Sequence, residues 1–186
     1  DMEIFAGKDA VRRTVEQMRR FDPDLVVTHS PADYLTDHEE TSRIVRSAAF
    51  AAAMPLYRTE QTPPAEPASG TPALYYADPV EGVDALGERV EPHFYVQIGD
   101  RIEEKAELLA HHESQREWLR TYHGMDRYLE EMKKYGRLYG SECGVDYAEG
   151  YRQHRGHGYP RDPLIQNALD DLVVSGPTPD SPPWIS

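Results

Sequence analysis

The sequence predicts an α/β fold with a mostly parallel sheet, and three observations carry that prediction. A short apolar run, Leu25-Val26-Val27, leads through a polar loop into an alanine-rich amphipathic stretch that ends near Ala53. Strand, loop and helix in that order form the unit of open α/β sheets, where ligands sit beyond the carboxyl ends of strands. Two later runs, Ala73 to Ala77 and Phe94 to Ile98, are rich in aromatic or β-branched residues and read as further strands.

The bulk numbers set limits. The chain has 186 residues, which suits one domain with a real core. It is 39% hydrophobic and 28% charged, a globular composition rather than a disordered one. The net charge of −13 argues against a general binder of nucleic acid or anionic membrane, since phosphates would be repelled. No apolar run approaches the roughly 20 residues needed to cross a bilayer. The single cysteine, Cys143, excludes an internal disulfide framework and fits a reducing, cytoplasmic setting.

Residues 8 to 21 place Val11, Val15 and Met18 on one helical face, with Arg12, Arg13, Arg19 and Arg20 off it. Asp22-Pro23 stops this helix, because proline disfavours α geometry in the residue before it. Leu25 to Thr28 is then expected as a parallel strand buried on both faces. Thr36-Asp37-His38-Glu39 reads as a capping box, Thr36 at the N-cap and Glu39 at N3. That box puts His38 in the first helical turn, facing the mouth of the strand. Ile44, Val45, Ala48, Ala49 and Ala52 give the helix its apolar side, and Met54-Pro55 ends it.

Residues 59 to 72, with four prolines and Gly70, form an exposed loop, an excursion within one domain. Asp78-Pro79 and Gly82 mark a loop at a strand's carboxyl end. Asp100 is the expected N-cap of a long helix, with Glu103 at N3 and Ile102, Ala106 and Leu109 as its inner stripe. Trp118 and Leu119 continue that stripe, Trp118 and Tyr122 pack four apart, and Gly124 interrupts it. A second helix is expected from about Asp126 to Tyr139, and a last short one from Val145 to Gln153. The domain then occupies residues 1–174, and the proline-rich tail of residues 175–186 is expected to be extended and mobile. Three strands make a thin parallel sheet. We therefore expect amino-terminal βα units to belong to the complete protein and to be missing here.

The loop from Thr28 to Ser42 carries His29, Asp33, Asp37 and His38. Two readings fit this pattern. In one, Asp33 and Asp37 favour the helix start through its dipole, and the histidines are ordinary polar loop residues. In the other, two histidines and a carboxylate form a mononuclear metal site of the kind found in zinc hydrolases. Spacing leaves both open, since neither HExxH nor CxxC is present. Tyr34 in the same loop, and Asp78 past the second strand, are candidates for substrate contact. His154-Arg155-Gly156-His157 is a glycine-punctuated loop that could bring His157 into a cleft. His111-His112 reads as a solvated helix face, one of Tyr75 and Tyr76 as core, and Cys143 as structural.

The stretch PDLVVTHSPADYLTDHEETSRIVRSAAF resembles the second signature region of the PIG-L/LmbE-type metal-dependent N-deacetylases. The likeness runs on through LYYADPVEGVD, EEKAELLAHHESQREWLR, YHGMD and YAEGYRQHRGHGYP, in order, to about residue 165. The resemblance implies a Rossmann-like three-layer α/β sandwich and an enzyme that removes acyl groups from N-acylated sugars or related amides. It maps the family's third zinc ligand onto His38, with Asp37 as its acidic neighbour. The family's other two ligands and its general-base aspartate come from an HPDD motif, which this sequence lacks. The family's oxyanion histidine falls on Leu35, and His29 is the candidate to replace it.

The resemblance thus implies one zinc per active site, completed by residues outside this sequence, from the intact protein or from another chain in an assembly such as a homo-oligomer. The implied chemistry is metal-assisted amide hydrolysis, with a carboxylate taking the water's proton and passing it to the leaving amine. The alternative is a non-catalytic relative that keeps the fold to bind a sugar or a partner protein. A nucleotide-binding domain would need a glycine-rich phosphate loop, which is absent.

Overall fold

The computed structural model describes residues 2–113 and 128–176. Expectations for Trp118, Leu119, Tyr122, Gly124, Asp126 and the prolines of residues 177–183 fall outside the described residues. The helices are α1 (Lys8–Phe21), α2 (Thr36–Ala52), α3 (Ile102–Ala110), α4 (Tyr128–Cys143) and α5 (Leu164–Leu169). The strands are β1 (Leu25–Thr28), β2 (Ala73–Ala77), β3 (Phe94–Gln97), β4 (Ala148–Gln153) and β5 (Val173–Ser175).

The strands form one mixed sheet in the order β1-β2-β4-β3-β5. β1 and β2 pair in parallel, whereas β2–β4 and β3–β5 are antiparallel. The expectation of a mostly parallel, three-stranded sheet is therefore corrected. Of the two strands that went unseen, AEGYRQ is built mostly from residues with little strand propensity, and VVS has strand-forming valines but is only three residues long.

The chain divides into two compact units. One comprises residues 1–91 and 151–168, the other residues 92–150 and 169–186, and β4 passes from the second into the first.

In the first unit, α1 packs on α2 through Val15, Met18, Ala48, Ala49, Ala51 and Ala52. The alanines let the two backbones approach closely. Asp22 takes a left-handed conformation (φ 43°) and its amide closes on the Met18 carbonyl, so α1 ends where Pro23 requires. Arg19 donates from Nε to the Ala52 carbonyl (3.0 Å) and from Nη2 to that of Met54 (2.7 Å), satisfying the last turn of α2.

The predicted capping box does not form. Thr36 is the first residue of α2, Leu35 occupies the N-cap, and no side chain caps it. Glu39 instead accepts a hydrogen bond from the Asp33 amide at 3.3 Å. The proline-rich loop is more than an exposed excursion. Thr59 is buried and donates to Glu16 Oε2 (2.6 Å), while the Ala65 amide donates to Glu16 Oε1 (3.1 Å). β1 is not buried on both faces, since its residues are only partly covered and Val27 is 47% exposed. Both Tyr75 and Tyr76 are buried, where one was expected.

In the second unit, β3 pairs with β5 from Phe94↔Ser175 to Val96↔Val173, so Ser175 belongs to the sheet and not to a mobile tail. Tyr95 packs with Tyr139 and Ala148. Asp100 does not cap α3; it lies inside a 3₁₀ turn, Gly99–Arg101, and Arg101 occupies the N-cap. Ile102 and Ala106 face inward as the periodicity requires. The expected helix over Val145 to Gln153 is instead β4, with Ala148, Gly150 and Gln153 buried. The turn that feeds it presses against α4, where the helix carries a glycine: a Cβ at Gly140 would sit 2.5 Å from the Val145 carbonyl oxygen. No helix among the described residues is long and apolar enough to cross a membrane.

Candidate functional site

β1 ends at Thr28, in register with Tyr76 of β2, and the loop beyond it carries the candidate residues. Asp33 is 2% exposed. Its Oδ1 accepts from the Leu35 amide at 3.0 Å and lies 3.0 Å from His38 Nδ1. A carboxylate has no hydrogen to give, so Nδ1 must be the donor in that pair. In its neutral form the imidazole is thereby held as the Nδ1–H tautomer. Its lone pair is left on Nε2, the nitrogen that can take a proton or hold a metal ion.

Around this pair stand two more rings. His29 stacks on His38 with centroids 4.2 Å apart and planes 5° from parallel. Burial holds the pKa of His29 below the usual 6.5, the charge of His38 lowers it further, and Asp33 opposes both. Tyr34 meets His38 edge-on at 5.8 Å and is itself half-exposed. One turn of α2 and its approach therefore bring His29, Asp33, Tyr34 and His38 together.

Asp37 lies beside His38 in sequence but faces elsewhere. Its Oδ2 accepts the Met2 amide at 2.7 Å, and its Oδ1 is buried without a hydrogen-bond partner among the described residues. Asp78 is not an open loop contact. Its side chain is 1% exposed and its Oδ1 lies 3.5 Å from Nε of Arg152 on β4. The other end of that guanidinium donates to Ser30 Oγ at 2.5 Å, which links Asp78 to the histidine loop.

The two histidines after β4 separate. His157 is exposed in the turn, whereas His154 Nδ1 pairs with the Tyr76 hydroxyl at 2.9 Å and its ring meets Tyr159 at 4.2 Å. Burial and the nearby Arg46 cation lower the pKa of His154, and burial pushes the Tyr159 phenol up to about 12. This cluster reads as packing. Cys143 donates to the Tyr139 carbonyl (3.3 Å) and burial raises its pKa, as a structural thiol should behave.

Sequence reasoning missed Ser30, Glu39 and Arg152 as parts of the site. From sequence Glu39 reads as a capping residue. Arg152 lay in a segment read as helix, so the direction of its side chain could not be inferred.

Among the described residues, no three His, Cys, Asp or Glu side chains converge to hold a metal ion. What they offer is one imidazole nitrogen with a carboxylate behind it. A zinc site needs three or four protein ligands, so these residues do not hold the metal by themselves.

No family model matches the chain. Among solved structures, it is similar to a conserved protein, TT1542, from Thermus thermophilus (TM-score 0.63, 23% identity, 80% of this chain and 59% of that one). It is similar to GalB, the 4-carboxy-2-hydroxymuconate hydratase from Pseudomonas putida (TM-score 0.60, 22% identity, 87% of this chain and 62% of that one). It is also similar to the N,N'-diacetylchitobiose deacetylase from Pyrococcus horikoshii (TM-score 0.63, 21% identity, 89% of this chain and 59% of that one). The chain spans about three-fifths of the length of each. At these identities the likeness is one of fold.

Proposed function

We propose that this chain is the carboxyl-terminal part of a metal-dependent hydrolase that removes an acyl group from an N-acylated sugar or a related amide. The observation that carries the reading is the Asp33–His38 pair: a buried carboxylate that fixes an imidazole with Nε2 left for a ligand. Metal-binding histidines are commonly held in this way by a carboxylate on the other ring nitrogen. The reading draws support from the signature blocks in the sequence and from the fold shared with a chitobiose deacetylase.

In this reading His38 is one zinc ligand, and the remaining ligands come from outside this sequence, in the same protein or in a partner chain such as a second copy. Zinc bound there would lower the pKa of a bound water and polarise the acyl carbonyl. Asp33 orients His38. His29, stacked against it, supplies the imidazole that Leu35 does not. Asp37 supports the start of α2, Tyr34 and His157 border the substrate's path, and the buried Asp78 acts behind the loop, beside Arg152.

The test is the zinc content of the complete protein, which should be about one ion per active site. His38→Ala should lose it, together with release of acetate from an N-acetylated sugar. Unchanged zinc in that variant would overturn the reading.

The second reading is a non-catalytic relative that binds a sugar or a partner. Leu35, at the position where the resemblance expects an imidazole, favours it. That a hydratase shares the fold is a reminder that the fold alone does not choose the chemistry. Binding of an N-acetylated sugar by the complete protein, with neither zinc nor acetate release, would decide for this reading.

A further inference from the structure

We infer that Arg152 is a positioning residue of the candidate site, a clamp from β4 that sets the histidine loop in place. The inference rests on the reading that the Asp33–His38 pair is the working part of the site. Arg152 is separated from that loop by more than a hundred residues, yet its guanidinium reaches it directly. Nη2 donates to Ser30 Oγ at 2.5 Å, and Nε lies 3.5 Å from Asp78 Oδ1.

Ser30 is fully buried, so the use of its hydroxyl can be counted. A hydroxyl has one hydrogen and two lone pairs. The hydrogen goes to the Ala32 carbonyl, and the lone pairs accept from the Ala32 amide (3.1 Å) and from Arg152. The turn over residues 30–32 is thus closed on itself and pinned from outside by one guanidinium. His29 directly precedes that turn and Asp33 directly follows it. The ring stacked on His38 and the carboxylate bonded to it are therefore held by the same clamp.

Arg152 itself is aimed by the buried Asp78 carboxylate, since a charge taken out of water demands a close counter-charge. The fork of the guanidinium lets one side chain serve Asp78 and Ser30 at once. A lysine ammonium, a point charge, could satisfy one of them.

The experiment reads the histidine rings. In the complete protein, with a chelator present so that no metal fixes the ring, long-range proton–nitrogen spectra report the tautomer of His38 and the ring-current shift of His29. Asp33→Asn, which removes the carboxylate from His38, is the positive control. In Arg152→Lys and Arg152→Gln the single Nδ1–H signature of His38 is expected to be lost to exchange between tautomers, and His29 is expected to lose its stacking shift. Ser30→Ala, which leaves Arg152 and its charge in place, should do the same, and covers the case in which an Arg152 variant fails to fold. His38 and His29 resonances that match the parent in Ser30→Ala, or in a folded Arg152 variant, would overturn the clamp.

These readouts use neither zinc nor turnover. If His38→Ala retains its zinc, the hydrolase reading falls and the clamp stands; if the ring signals do not move, the clamp falls and the hydrolase reading stands.

Discussion

Glu16 and Asp33 are hidden to the same degree, each 2% exposed, yet they do different work. Glu16 on α1 is surrounded by donors that serve it and nothing else, namely the Thr59 hydroxyl, the Ala65 amide and the Arg20 guanidinium (3.0 Å). Its carboxyl sits below its ordinary pKa chiefly because Thr59 donates to it, with burial opposing. Asp33 divides its bonded oxygen between a backbone amide and an imidazole whose second nitrogen is left over. The difference teaches that burial of a charge does not by itself mark a site. What matters is whether its partner keeps an unused group.

Three experiments press on this contrast. The largest effect on stability is expected at Glu16. Glu16→Ala leaves the Thr59 hydroxyl buried without its acceptor and should cost about 2–3 kcal/mol. That corresponds to roughly 4–12 °C in Tm for a chain of this size. The His29 and His38 ring signals should stay where they are. The acid limb sharpens the point. Because the folded pKa of Glu16 lies below its ordinary 4.5, the unfolded chain binds the proton first on acidification. The stabilisation is complete above about pH 4.5 and is lost as pH falls toward the folded value. Urea titrations of Glu16→Gln across that range should show a flatter acid limb than the parent.

Asp33→Asn should give the opposite profile. Its stability loss is expected near 1 kcal/mol, while metal affinity of the complete protein should fall roughly 10- to 100-fold. Calorimetric zinc titration with unfolding in parallel separates the two quantities. An Asp33 variant that unfolds as readily as the Glu16 variant, with zinc affinity intact, would erase the distinction.

The smallest effect is expected at His154. Its folded pKa lies below 6.5 because burial and the Arg46 cation disfavour its charge. On acidification the unfolded state again takes the proton first, so stability declines as pH drops below 6.5. His154→Gln can keep a bond to Tyr76 and should flatten that decline. His29 shifts in the same direction, so part of the slope persists.

Local features of the chain were readable before any fold was known. The α1 bounds, the stop at Asp22-Pro23, the β1 and β2 spans and the placement of His38 in the first turn of α2 all depend on neighbours within a few residues. Capping failed for a physical reason: Thr36 and Asp100 have the right side chains, but the chain uses Leu35 and Arg101 at those positions. β4 failed more deeply. Its buried residues are Ala148, Gly150 and Gln153, none with strand preference, and its pairing is fixed by Tyr75 and Tyr76 some 75 residues earlier. The site divides along the same line. The Asp33–His38 link spans five residues and lay near the surface of the sequence, whereas the bond from Arg152 to Ser30 is invisible until β4 is known to be a strand.

The one cysteine, at the end of α4, offers a different kind of use. Its thiol is bonded to the Tyr139 carbonyl and burial keeps it protonated beyond its ordinary 9.0, while alkylating reagents attack the thiolate. Labelling is then slowed by that bond and by the raised pKa, and speeds up on any opening of the last turn of α4, next to the close approach at Gly140. With a single reactive position in the chain, the labelling rate times that local opening without any mutation or added probe. Cys143 is a stopwatch for one half of the molecule, while the histidines report on the other.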